Sequence, residues 1–237
     1  EAESRASSLG GTVVGTSSYG LTVVETGTNR ILFQYDQGSG TKLAIQPGAD
    51  GARETRTWFS NYHYRGGFEY FRRTGGNVTV VNVLTLEDYV NGVICYEMGP
   101  SWPLEALKAQ AVAARTYTLY KLVSGSNHGD TADICTDSTC CQAYISMENA
   151  RANWGSQADA YEAKIREAVT ATDGEAILYG GVPILAVFHS SSAGLTRAAG
   201  QVWQNDLPYL QPVDSPEAAA SIPNYYSRVE FTPEVLK

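Results

Sequence analysis

A single glutamate, Glu97, has a setting that could give it a chemical role. It lies in the stretch YEMGPSWP, directly before a turn of glycine and proline and between aromatic and thioether side chains. Apolar surroundings disfavour the charged form of a carboxyl group, which is the condition that a general acid needs near neutrality. Glu97 is therefore a candidate catalytic acid/base. Isolated glutamates are common, however, so composition alone favours an ordinary role.

Two cations follow Glu97 on a predicted helix. Pro103 suits the first turn of a helix, and the next twenty or so residues are mostly Ala, Leu, Val and Gln, apolar on nearly every face. Such a helix is expected to be buried centrally. Lys108 and Arg115 are seven residues apart, within about 20° of each other around the helix axis, so we expect both to line an aqueous cleft beside Glu97. The alternative is that they reach solvent at the helix ends or pair with buried acids.

A cysteine-rich stretch, HGDTADICTDSTCCQAY, contains three of the four cysteines and one of the three histidines. Thiolate and imidazole groups are the ligands of tetrahedral zinc, so the stretch predicts a structural zinc site. The predicted ligands are His128, Cys135, Cys140 and Cys141. The alternative is a disulfide, Cys135–Cys140 or Cys135–Cys141, which would close the same loop in an oxidising compartment. Cys95 is expected to be a buried small hydrophobe.

A loop rich in hydroxyl groups follows the run VPILAVF near residue 188. His189 and the serines after it do not form a nucleophilic centre, because neighbours in a strand point to opposite faces and no G-x-S-x-G elbow is present. Hydroxyl and imidazole groups can instead contact sugar hydroxyl or acetamido groups, and a glycine allows close backbone approach. His189, Ser190, Ser192 and Gly194 are therefore candidate substrate-binding residues. An ordinary turn stabilised by its serines is the alternative.

The remaining chain predicts the elements that must position these residues. The first ninety residues are β-branched and aromatic runs punctuated by turn residues, which predicts a small antiparallel sheet. Thr85 and Asp88 form an N-cap pair for a short helix that leads to Glu97. A further helix is predicted near residues 156–174, with Glu162, Arg166 and Glu167 on its solvated face, and two β-rich runs follow it. The predicted fold is α+β, a single domain over 1–237 with two intimate lobes around a substrate cleft: about 10–90 mainly β, and 91–237 a helical middle followed by β.

Charge and hydropathy exclude several classes of protein. The net charge of −8 and the absence of any Lys/Arg run argue against a nucleic-acid partner or an anionic membrane surface. No apolar run approaches the roughly 20 residues of a membrane span. Because residue 1 is not a methionine, we expect a signal or anchor segment to have been removed or trimmed.

Four motifs together resemble the stage II sporulation protein D family, over about residues 10–215. They are NVLTLEDYVNGVICYEMGPSWPLEALKAQAVAARTY, DICTDSTCCQAY, AVTATDGEAILYGG and VFHSSSAGLT, in that order. The resemblance implies a secreted or membrane-tethered, extracytoplasmic peptidoglycan lytic transglycosylase. Such an enzyme cuts the bond between N-acetylmuramic acid and N-acetylglucosamine in peptide-free glycan strands and leaves a 1,6-anhydro end. The resemblance also implies that Glu97 is the catalytic acid/base and that Lys108 and Arg115 belong to the functional residues around the cleft.

The same resemblance implies partners and shows two departures. The implied partners are a cell-wall amidase and membrane-anchored engulfment proteins of sporulation, with no nucleic acid. Cys140 stands where the family often has a histidine, and some members bind zinc at this loop. Ala193 stands where the family commonly has glycine. Relatives that share this domain also include amidase enhancers, so a non-catalytic enhancer or a glycan-binding module remains an alternative to the enzyme.

Overall fold

The computed structural model describes residues 18–28, 30–46, 56–59, 62–129, 131–203 and 205–217, with isolated residues nearer the two termini. Within these residues the protein combines α-helices with small antiparallel sheets, which agrees with the predicted α+β class. No helix in the described part of the chain is both long and apolar enough to cross a membrane.

The described residues in the first part of the chain form seven short strands. Strands β1 and β2 pair with each other, β4 and β5 form a hairpin, and β6 lies between β3 and β7. The predicted β-rich start is confirmed for the described residues, whereas residues 11–17 and 47–55 lie outside them. The strands are β1 (Leu21–Val24), β2 (Ile31–Tyr35), β3 (Lys42–Ile45), β4 (Arg56–Phe59), β5 (Tyr62–Arg65), β6 (Gly67–Arg72) and β7 (Val78–Val83).

Helix α1 (Leu86–Glu97) begins at the predicted N-cap. The Thr85 side chain accepts a hydrogen bond from the Asp88 N–H at 3.2 Å and donates one to the Asp88 carboxylate at 2.9 Å. This arrangement satisfies a free donor of the first turn. The helix ends at Glu97 because Met98 turns to an extended conformation ahead of Pro100, a residue that disfavours helix before it. Glu97 is thus the last residue of a capped helix.

Helix α2 (Leu104–Ser124) has the predicted position. Pro103 occupies its N-cap without a side-chain cap, and Gly125 follows its last residue at φ 90°, a backbone conformation that favours glycine. The hydrophobic core joins α1 and α2 to α3 (Met147–Trp154) and α4 (Ala158–Ala171). Its most buried members come from all four helices and include Val90, Val93, Ile94, Leu107, Ala111, Ala114, Met147, Ile165 and Ala168.

An ionic network fastens β5 to the helices. Arg65 is 8% exposed and lies 3.4 Å from Asp88 on α1 and 3.2 Å from Glu162 on α4. The prediction that Glu162 lies on a solvated face is therefore wrong, since Arg151 and Arg166 also bind its carboxylate. Burial opposes ionisation of Glu162, but hydrogen bonds from Arg166 and Arg151 outweigh it and lower the pKa. Sequence periodicity could not show that other elements cover this face.

The C-terminal part contains less strand than the sequence predicts. Its described residues form only β8 (Leu178–Tyr179), β9 (Val182–Pro183), a single bridge between Leu195 and Asp214, and the short helix α5 (Ala199–Val202). The run after β9 forms no strand in the described residues. Ile184 and Ala186 alternate into a small second core against Tyr117 of α2, so side-chain packing replaces sheet pairing here.

The segment 143–145 crosses α1 at close range. The Tyr144 ring stacks on Tyr89 with 5.5 Å between centroids, and the Ile145 N–H donates to the Gly92 carbonyl at 3.3 Å. A Cβ placed on Gly92 would lie 2.2 Å from the Tyr144 ring. Only glycine therefore lets the segment approach the helix this closely.

We predict that Gly92→Ala lowers the free energy of unfolding by about 1 to 3 kcal/mol, the usual cost of an overpacked contact. Chemical denaturation measures the effect. Gly200→Ala is the control, because Gly200 is exposed in α5 and an added Cβ there would meet Asp206 no closer than 3.4 Å. Equal stability of the two variants would contradict the close crossing.

Candidate functional site

The Glu97 carboxyl group is half-buried at the end of α1. One carboxylate oxygen accepts a hydrogen bond from the backbone N–H of Ala143 at 3.2 Å. Among the described residues no cation pairs with this carboxylate, and its second oxygen has no hydrogen-bond partner. The group is thus oriented through one oxygen while the other stays available.

The two cations of α2 have different surroundings. Lys108 binds Glu105 at 2.8 Å, and because the Glu105 side chain is 81% exposed this pair lies at the surface. Arg115 is 1% exposed and forms a bidentate pair with Glu87 of α1, at 2.8 Å from Nε and 2.6 Å from Nη2. Arg115 also donates to the Val169 and Glu175 carbonyls. Arg115 therefore links α1 to the end of α4. This agrees with the alternative given above, in which the cation pairs with an acid instead of lining a cleft.

Three thiols and one imidazole converge in the Cys-rich loop. The ligand atoms of His128, Cys135, Cys140 and Cys141 all lie within 4.8 Å of one another. His128 Nε2 lies 3.5 Å from Cys141 Sγ and 3.7 Å from Cys140 Sγ, and the last two sulfurs are 3.8 Å apart. All four cysteines are free, so no disulfide closes the loop. The predicted set of ligands is thus brought together.

These distances fit a tetrahedral metal ion. Metal–sulfur bonds of about 2.3 Å and metal–nitrogen bonds of about 2.0 Å give edges of about 3.8 Å between sulfurs and about 3.5 Å between sulfur and nitrogen. Burial, together with hydrogen bonds to Cys135 and Cys140, raises the pKa of the Cys141 thiol to about 11. A cation would supply the positive charge that lets these thiols ionise. The four residues can therefore hold a metal ion.

The local sequence folds this loop and fastens it to the helices. Asp137 accepts hydrogen bonds from the Thr139 N–H through its side chain and from the Cys140 and Cys141 N–H groups through its carbonyl. Cys141 packs with Tyr117 of α2, and the buried Gln142 accepts from Thr118 at 3.2 Å. The next residue is Ala143, whose N–H holds Glu97. A single residue, Gln142, thus separates Cys141 of the Cys/His cluster from the contact that orients the carboxyl group.

The predicted sugar-binding loop is organised around a carboxylate that the sequence analysis missed. Glu217 accepts hydrogen bonds from Ser191 Oγ at 2.6 Å, from the Ser192 N–H at 2.6 Å and from Ser192 Oγ at 2.8 Å. His189 and Ser190 are exposed. The carbonyl of Gly194, at φ 93°, accepts from the Ser215 N–H, which aligns the two segments. No motif marks Glu217, so only the tertiary structure reveals it.

The environment of Glu217 strongly favours its charged form. The Ser191 hydroxyl, the Ser192 N–H and hydroxyl, and the Ala193 N–H lower its pKa to about 2 from an ordinary value of 4.5. A carboxyl group with a lowered folded-state pKa stabilises the fold above its unfolded pKa and loses that effect as the pH falls through the lowered value. The contribution of the Glu217 contact to the stability of the fold is therefore complete above pH 4.5 and is lost toward pH 2.

A cavity of about 330 Å³ lies beside the segment 143–145. Its walls combine aromatic side chains, among them Phe59, Tyr64, Phe68 and Tyr144, with polar and aliphatic ones. Neither Glu97 nor the Ser191–Gly194 turn lines it, so we do not assign it to the carboxyl site. The Cys/His cluster connects the candidate residues, since Cys141 packs against the small core that contains Ile184 and Ala186, shortly before His189.

Fold and site together define an α+β protein in which the segment after a cluster of three cysteines and one histidine orients the Glu97 carboxyl group. Residues 74–179 match the family model described as SpoIID, Stage II sporulation protein. The chain therefore contains a SpoIID domain, and the resemblance carried by its sequence motifs is confirmed there.

Curated relatives agree with this assignment. The chain is 38% identical over 157 residues to stage II sporulation protein D of Bacillus subtilis, and 37% identical over 157 residues to that of Bacillus amyloliquefaciens, covering 66% of this chain and 45% of each relative. It is also 38% identical over 121 residues to a Bacillus subtilis protein named amidase enhancer, covering 51% of this chain and 14% of that protein. The chain thus spans less than half the length of these relatives.

We predict that Arg115→Met lowers the free energy of unfolding by about 3 kcal/mol, because it breaks a buried ion pair and frees carbonyl groups at the end of α4. Lys108→Met is the matched control on the same helix and should cost less than about 1 kcal/mol, since its ion pair is exposed. Denaturant unfolding measures both. A fully stable Arg115→Met protein with weakened glycan binding would contradict the structural role and restore Arg115 to the substrate site.

Proposed function

We propose that this domain is a peptidoglycan lytic transglycosylase that cuts between N-acetylmuramic acid and N-acetylglucosamine and leaves 1,6-anhydro ends. The proposal rests on Glu97. Its carboxyl group is half-buried, oriented by the Ala143 N–H, and has no cation partner among the described residues. It also lies within the family's domain. An acid that must give up and take back a proton needs such an oriented but unpaired setting.

The reaction needs only one carboxyl group. Glu97 donates its proton to the glycosidic oxygen as the bond from that oxygen to the muramoyl anomeric carbon breaks. The resulting Glu97 carboxylate accepts the proton of the muramoyl 6-hydroxyl while the oxygen of that hydroxyl bonds to the anomeric carbon. Because the nucleophile belongs to the same sugar, no second carboxylate is required to activate water. The carboxyl group ends protonated, ready for another cycle.

Neighbouring side chains suit a glycan. Tyr96 and Trp102 precede and follow Glu97 in the chain, and both rings are largely exposed, which makes them candidates for contact with sugar rings. Lys108 remains a candidate substrate contact, because an exposed partner such as Glu105 is easily exchanged. The candidate substrate-binding loop on the second lobe of the predicted substrate cleft still comprises His189, Ser190, Ser192 and Gly194. Arg115 is left out, because its donors are occupied by Glu87 and the end of α4.

We further propose that the metal of the Cys/His cluster is zinc, held by His128, Cys135, Cys140 and Cys141. Its role is structural, because a tetrahedral site with four protein ligands has no position for substrate. The cluster fixes the chain that leads to Ala143, and the Ala143 N–H orients Glu97. Loss of the metal would then make the orientation of the Glu97 carboxyl group less fixed, although the metal does not contact that group.

Partners and location are part of the proposal. Cell-wall glycan is the substrate, a cell-wall amidase that removes stem peptides is the expected partner, and sporulation is the setting, with membrane-anchored engulfment proteins nearby. These assignments imply an extracytoplasmic protein. A second candidate function, stimulation of an amidase without cleavage of glycan, is favoured by the similarity to the protein named amidase enhancer.

For the enzyme, we predict that the protein alone releases anhydro-muramoyl products from peptide-free glycan strands, detected by mass spectrometry. Glu97→Gln should reduce the rate by about 100-fold or more, the contribution of a general acid and base. Glu167→Gln, an equal change of charge at an exposed position of α4, should leave it unchanged. Absence of products from the unmodified protein, with stimulation of an added amidase, would replace the enzyme by the enhancer.

For the metal, we predict equimolar zinc by elemental analysis and four titratable thiols in the unfolded, chelator-treated protein. Cys141→Ser should lose the zinc, lower the melting temperature and shift the NMR signal of the Ala143 amide. Cys95→Ala should keep the zinc, because Cys95 is not part of the cluster. Two titratable thiols and no metal would contradict the site and favour a disulfide.

A further inference from the structure

The turn Ser191–Ala193 has the features of a site for an anion. Ala193 has φ 55°, a left-handed conformation that is uncommon outside glycine, and Gly194 follows at φ 93°. Backbone N–H groups that converge in such turns form concave anion-binding nests. Here the Ser192 and Ala193 N–H groups are joined by the Ser191 and Ser192 hydroxyls, and all four act on one carboxylate.

The group that fills this turn comes from elsewhere in the chain. Glu217 is brought to it by an antiparallel contact in which the Thr196 N–H donates to Val213 and the Ser215 N–H donates to Gly194, both at 3.0 Å. Among the described residues no arginine or lysine pairs with Glu217. The carboxylate is therefore held by neutral donors only, and another carboxylate of similar shape could take its place without leaving a cation unpaired.

The proposed substrate carries such a group. When the stem peptide has been removed, each muramic acid exposes its lactyl carboxylate, whereas N-acetylglucosamine has none. Arg115 would have been the natural partner for this charge, but its donors are already occupied. In a protein of net charge −8, a cluster of uncharged donors is a suitable alternative.

We propose that the Ser191–Ala193 turn binds the lactyl carboxylate of peptide-free muramic acid, and that Glu217 occupies the turn as an internal competitor until the sugar displaces it. This inference rests on the proposed function, since it names the chemical group that the glycan-binding loop recognises. It gives a preference for peptide-free glycan, because an amide-linked stem peptide leaves no lactyl carboxylate.

A binding experiment tests the proposal without any cleavage step. N-acetylmuramic acid is titrated into 15N-labelled protein while the Ser192 and Ala193 amide signals are followed by NMR. If Glu217 fills the turn in about nine-tenths of the molecules, its removal tightens binding of the sugar about tenfold. We therefore expect a gain of about that size in Glu217→Ala. Glu167→Ala is the control for lost charge and should bind like the unmodified protein.

Two further ligands identify the group that is recognised. N-acetylglucosamine should bind no better to Glu217→Ala than to the unmodified protein. Muramyl dipeptide, whose lactyl group is an amide and whose free carboxylate is on the peptide, should show no gain either. A gain for muramyl dipeptide equal to that for N-acetylmuramic acid would overturn the sugar assignment, and a gain for N-acetylglucosamine would overturn the carboxylate site itself.

Additional variants guard against a loop that collapses when Glu217 is lost. Glu217→Gln keeps the side-chain shape but removes the charge, and it should also tighten binding of N-acetylmuramic acid. Adding Ser192→Ala to Glu217→Ala should abolish the gain. Unchanged affinity in both Glu217 variants would overturn the proposal. If the binding results hold while the protein forms no anhydro products, the turn stands and the transglycosylase assignment fails.

Discussion

The arrangement of this domain depends on the close crossing of the segment 143–145 over α1. Gly92 removes the side chain that would block the crossing, and Tyr144 stacks on Tyr89. Because of this contact, the Ala143 N–H reaches the Glu97 carboxylate at 3.2 Å. A glycine inside a helix has an intrinsic cost of about 1 kcal/mol relative to alanine. Here that cost is offset by the approach of a segment that orients a functional group.

The crossing also relates the Cys/His cluster to the carboxyl group. The cluster begins at His128 and ends at Cys141, and Gln142 is buried against α2 before the chain reaches Ala143. A loop of this length has little secondary structure of its own, so its path must be fixed by ligands and by packing. A metal ion held by the four residues would provide such a constraint. The stability of the loop and the position of the Glu97 carboxyl group therefore depend on the same contacts.

Charged residues show how tertiary contacts assign roles that spacing cannot. Lys108 and Arg115 share a helix stripe, yet the first lies at the surface and the second has 1% of its side chain exposed beside Glu87. The sequence pattern placed Glu162 on a polar face, but in the structure it binds three arginines. Helical periodicity specifies which residues share a face, whereas the role of each depends on what other elements bring to that face.

The C-terminal loop is a similar case. Its serines and glycine were recognisable as hydroxyl-rich and able to turn, but the common partner of Ser191 and Ser192, Glu217, is more than twenty residues away in the chain. The antiparallel contact that brings it there has only a single bridge and no strand pattern. The predicted β-rich end is therefore largely replaced by irregular chain that packs through side chains.

The sequence by itself determined the elements whose signals are local. The N-cap of α1, the length of α2 and the convergence of three cysteines with one histidine followed from capping residues, helix propensity and ligand spacing, because each depends on neighbours in the chain. The family followed from motifs of the same local kind. Only the tertiary structure decided that Arg115 is a structural ion-pair partner, that Ala143 orients Glu97 and that Glu217 fills the serine turn, because each of these contacts joins residues that are far apart in sequence.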